Sequence, residues 1–145
     1  MKYLVLALGL IAGCATPPEP GPETPPAAEP APEAQQRREN VAIAGLMESA
    51  RADSAAGRLA NAAASLERAL RIEPRNPRLW QELARVRLKQ GQFAQAESVA
   101  ARSNSWAGED KALRAENWRL IAQSREARGD SEGAKAALEQ AGASR

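Results

Sequence analysis

One periodicity constrains this chain more than any other feature. Leu46, Ala50, Gly57, Leu59, Ala62 and Ala69 recur 34 residues later as Trp80, Ala84, Gly91, Phe93, Ala96 and Ser103. A third copy, offset by 38 residues, holds Trp118, Ala122, Gly129, Ala134 and Ala141. The four added residues fall in the stretch SNSWAGEDK, 103–111. Each copy has a large residue, a small residue one turn on, a glycine, and then more small residues. That pattern predicts two helices in close approach, with a left-handed glycine ending the first. Pro74 ends the second helix of the first unit, and Asn76-Pro77 opens the next with an N-cap and a proline at the first helical position. Predicted helices cover 35–56, 59–73, 76–89, 92–104, 109–127 and 130–142. The last is polar on its outer side, through Glu132, Lys135, Glu139 and Gln140, as a terminal element should be. A single long coiled coil is disfavoured by the glycine in each turn.

The period and residue set resemble the tetratricopeptide repeat, a helix–turn–helix unit of 34 residues. The resemblance covers about 43–141 and implies an all-α solenoid of about three units, near 43–76, 77–110 and 115–145, within a domain spanning 35–145. Trp80 and Trp118 are expected in its core. In this family the first helices line a concave face that commonly receives peptides. Placing the sequence on that pattern puts Ala44, Met47 and Arg51 on the face from the first unit, Arg78, Gln81, Arg85 and Lys89 from the second, and Arg119 and Gln123 from the third. Glu116 and Glu126 are the opposing charges. Such a face suits an acidic or extended peptide, although the arginines could equally serve to solubilise an Ala-rich surface. Met47 and Gln81 stand where the carboxylate-clamp members of the family carry Lys, which argues against recognition of a free C-terminus. Trp106 lies in the expansion, outside the repeat. It is either a partner anchor or a ring folded back over the end of the preceding helix.

Ahead of the repeats the sequence changes character twice. Residues 1–13 place Lys2 before an uncharged apolar run that is too short to span a bilayer, and Pro17 and Pro18 prevent its extension. Basic start, apolar centre and small residues give the layout of a secretory signal. Ile11-Ala12-Gly13-Cys14 resembles the bacterial lipobox, which implies cleavage before Cys14, acylation of that cysteine, and stable anchoring by several acyl chains. Ala15 stands where Asp would be the usual inner-membrane retention signal, so the resemblance implies the outer membrane of a Gram-negative bacterium, facing the periplasm. Residues 14–34 form a linker that holds eight of the ten prolines, four Glu and no basic residue. Nothing there can build a core, and the prolines favour extended polyproline II reaching roughly 60 Å. A spacer is the simpler reading; a proline-rich ligand is the sharper one.

Composition then narrows the function. The chain has no His and one Cys. His-based acid–base catalysis, His-ligated metals, Cys-metal cages and internal disulfides are therefore all excluded. No catalytic constellation, cofactor or metal is expected, and no small-molecule substrate. Aromatics make up only 3% of the residues, too few to stack bases, so nucleic acid is not expected as a ligand. The net charge of +2 hides a split between −4 on the tether (Glu19, Glu23, Glu29, Glu33) and +5 on 35–145.

Lipobox, acidic tether and a small tetratricopeptide domain together resemble the LpoP-type outer-membrane lipoproteins. These activate bifunctional class A penicillin-binding proteins, the peptidoglycan polymerases. The resemblance implies a protein-binding module that raises the rates of its partner without chemistry of its own. Two rival readings are a pilotin-like assembly factor for an envelope machine, although known pilotins of this repeat type are longer with more repeats, and an adaptor for a periplasmic protease.

Overall fold

The computed structural model describes residues 32–144, and these form six helices. The signal segment, Cys14 and the tether up to residue 31 lie outside the described residues. α1 (Pro32–Ala55), α2 (Leu59–Ile72), α3 (Pro77–Lys89), α4 (Phe93–Trp106), α5 (Lys111–Glu126) and α6 (Ser131–Ala143) follow in order. Each helix packs on the next, and α3 also meets α5. This is the expected stack of three helix pairs, and the fold is an all-α tetratricopeptide solenoid. No helix among the described residues is long and apolar enough to cross a membrane.

The repeat positions explain the geometry. Gly57, Gly91 and Gly129 have φ of 75°, 73° and 82°, the left-handed region in which a side chain would clash. Behind each glycine, the next N–H donates to the carbonyl five residues back: Arg58 to Asp53 at 2.8 Å, Gln92 to Arg87 at 2.9 Å and Asp130 to Arg125 at 3.0 Å. These bonds satisfy carbonyls that a helix end would otherwise leave unpaired. The small residues Ala50, Ala62, Ala84, Ala96, Ala122 and Ala134 are all buried where paired helices approach. Asn76 caps α3 as expected, its Oδ1 accepting from Arg78 N at 3.0 Å and Leu79 N at 3.3 Å.

One apolar cluster spans α1 to α3 around Ile43, Leu66, Leu79 and Leu83. A second spans α3 to α6 around Ala100, Leu120, Ile121 and Ala137. Among the described residues, every buried apolar side chain lies between Ile43 and Ala141, within the six helices and the turns that join them.

Three details differ from the sequence expectation. α1 begins at Pro32 rather than near 35, with proline tolerated in its first turn. α4 continues to Trp106, so part of the four-residue expansion lengthens a helix instead of a loop. Trp80 and Trp118 are half-buried and pack against the clusters from their rims. The Trp80 indole N–H donates to Pro74 O at 2.8 Å, which places a polar edge at the surface and explains why this ring stops short of the core.

Candidate functional site: a groove across the first helices of the repeats

α1, α3 and α5, with Leu66 of α2, line a groove of about 510 Å³. Its floor is apolar, formed by Met47, Ala50, Leu66, Val86, Leu88 and Leu120, and its walls carry Arg51, Arg85, Lys89, Glu82, Glu116 and Gln123. Five of the expected groove residues are therefore together: Met47, Arg51, Arg85, Lys89 and Gln123. Their common origin is helical spacing, since Met47 and Arg51, or Arg85 and Lys89, lie four residues apart on one face.

The other four expected residues lie elsewhere. Ala44 is exposed on α1 and does not line the groove. Gln81 is 8% exposed, and its Nε2 donates to Asn117 Oδ1 at 3.1 Å and to Leu113 O at 3.4 Å. The amide is spent joining α3 to α5, so it does not face a ligand. Arg78 is exposed beside the α2–α3 turn and pairs with Asp110 at 3.1 Å. Arg119 reaches Glu116 at 2.9 Å but lines a separate depression near the start of α5.

The walls are cross-linked by charge. Arg85 meets Glu116 across the α3–α5 gap at 3.2 Å and Glu82 on its own helix at 3.7 Å. Lys89 Nζ donates to Ser54 Oγ on α1 at 2.9 Å. Arg51 is exposed and makes no ion pair among the described residues. Half-exposed pairs of this kind are worth at most about 1 kcal/mol each, so an incoming carboxylate can exchange for Glu82 or Glu116 at little net cost. The glutamates make the groove less basic than the arginines alone suggest. Glu82 and Ser54 were both readable as groove residues, since each lies three residues from a groove arginine on the same helix face.

Trp106 is 41% exposed at the C-terminal end of α4, with the Arg75 guanidinium 5.2 Å from its ring centre. A matching stack places Arg102 5.1 Å from the Trp80 ring. Trp106 therefore docks on the α2–α3 turn through a cation–π contact, outside the groove.

A family model for the tetratricopeptide repeat matches residues 54–123. Among solved structures, the globular C-terminal domain of LpoP from P. aeruginosa is similar at 49% sequence identity and a TM-score of 0.68. The match covers 69% of this chain and 94% of that domain. No curated protein matches the sequence. With near-complete coverage of that domain at this identity, on a fold whose turns, caps and small-residue contacts follow the repeat, the chain belongs to the LpoP-like tetratricopeptide-repeat proteins.

Proposed function

We propose that this chain is a lipid-anchored periplasmic protein that binds a class A penicillin-binding protein and raises its polymerase and cross-linking rates. The observation that carries the reading is the 49% identity over 94% of the LpoP C-terminal domain. In the proposal the concave groove is the docking face. Its apolar floor accepts side chains of an extended or helical segment, while Arg51, Arg85 and Lys89 engage acidic groups on that segment. Acylated Cys14 holds the protein in the outer membrane of a Gram-negative cell. The proline-rich tether carries the domain across part of the periplasm to an enzyme anchored in the inner membrane. The domain acts by binding alone, needing no cofactor or small-molecule substrate.

Adding the purified helical region to the cognate synthase should accelerate glycan polymerisation from lipid-linked precursor. An unchanged rate at saturating protein would overturn the proposal. Cys14→Ser should separately move the protein from the membrane to the soluble fraction; retention in the membrane would refute lipid anchoring.

A further inference from the structure

One repeat position is buried twice and open once. Leu79 on α3 is fully buried, in a single cluster with Ala69 and Leu70 of α2. Its counterpart Asn117 on α5 is fully buried too, donating to Ser103 Oγ and Asn104 Oδ1 of α4 at 2.7 and 2.9 Å. In both cases the second helix of the preceding pair covers the position. The first copy is Gly45, at the middle of α1, and no described helix precedes α1.

The surface around Gly45 has the shape such a covering helix would leave. A Cβ placed at Gly45 would meet nothing within 4 Å among the described residues. The depression beside it, about 610 Å³, is lined by Leu46, Ile72, Arg68 and Arg71 among others. Ile72 is 36% exposed, and Val41, one turn earlier on α1, is 69% exposed. Glycine at this point costs the helix about 1 kcal/mol relative to alanine. Nothing among the described residues requires it, since its φ is not positive and no described neighbour crowds it. A glycine of this kind fits a surface that another backbone approaches closely.

Charge selects the visitor. Arg37, Arg38, Arg68 and Arg71 surround this end and make no ion pair among the described residues, whereas Arg85, Arg87, Arg119 and Arg125 all do. A second copy would bring the same arginines face to face. We propose that the α1–α2 end of the solenoid receives an acidic amphipathic helix from a partner protein, which stacks over Gly45 as α2 stacks over Leu79. This surface is separate from the groove and stands independently of the function assigned there.

The test uses the isolated helical region and two stapled helical peptides of about 18 residues, each with a leucine stripe. One carries Glu on both flanks of the stripe and the other carries Lys. The Glu peptide should bind and shift the backbone amide resonances of 42–49 and 68–72. Binding should weaken at least about tenfold in Gly45→Phe and in Arg68→Glu/Arg71→Glu, and should fall with added salt. Gly45→Phe should keep the helical circular dichroism and cooperative melting of the wild type, which separates loss of binding from loss of fold. Equal binding of the Lys peptide, or shifts confined to 82–89, would overturn the proposal. So would a dimer of the helical region that Gly45→Phe abolishes, since the occupant would then be a second copy.

Discussion

The junction between the first and second helix pairs places Ala69, Leu70 and Leu79 in one apolar cluster. One repeat further along, the same positions hold Ser103, Asn104 and Asn117. Here Asn117 accepts from Gln81 at 3.1 Å and donates to Ser103 and Asn104, and Ser103 Oγ donates to Pro77 O at 2.7 Å. The first junction is held by burial, which is non-directional and tolerates small slides of one helix over another. The second is held by directional hydrogen bonds, with Asn104 Nδ2 buried and without a partner among the described residues. Each is worth about 1 kcal/mol net, but a lost partner leaves a desolvated group behind. The polar junction sits where the repeat is lengthened by four residues, and where α3 and α5 form two walls of the groove. It therefore sets the spacing across which Arg85 meets Glu116. The difference teaches that this solenoid spends directional bonds where the repeat is irregular and a binding surface depends on register.

Mutations at the two junctions should separate them. Leu79→Ala should be the most damaging, costing about 3 kcal/mol in denaturant unfolding because it opens a cavity among fully buried neighbours. Asn117→Ala should cost about 2 kcal/mol, by leaving Gln81, Ser103 and Asn104 short of partners. If it proved harmless, the contrast between the junctions would fail. Asn76→Ala removes the cap of α3, the helix shared by both junctions, and should cost about 1 kcal/mol by the same measurement. Arg75→Ala loses only the exposed stack on Trp106 and should cost about 0.5 kcal/mol. The smallest effect is expected from rebuilding the second junction on the pattern of the first. Gln81→Met, Ser103→Ala, Asn104→Leu and Asn117→Leu together should leave stability nearly unchanged, since all members of the network are replaced at once.

The glycine turns, the Asn76-Pro77 start and the small contact residues were legible because each answers to a local rule of backbone geometry. Five groove residues were legible because helical spacing places them on one face. Gln81 misled because a polar side chain on a first helix reads as surface, and only its partner on α5 shows why it is buried. The signal was nonetheless present: in the repeat alignment Asn117 falls on Leu79, and Ser103 and Asn104 fall on Ala69 and Leu70. Three polar residues at one set of core positions mark a buried network. The length of α4 was harder to read, because Ser103, Asn104 and Ser105 are weak helix formers and suggest a stop. Tertiary bonds from Ser103 and Asn104 hold that last turn in place, and Trp106 rests on Arg75 beyond it.

In the proposed function, the concave groove presents this domain to a peptidoglycan synthase. The most direct measurement is the initial rate of glycan polymerisation by the cognate synthase, with the wild-type helical region or with Met47→Glu/Arg51→Glu. Arg51 is exposed and makes no ion pair among the described residues, and Met47 lies on the groove floor, so the double variant should keep its helical circular dichroism while altering the face. Wild-type protein should raise the rate and the folded variant should lose most of that increase. Full stimulation by the variant would contradict the groove as the docking face.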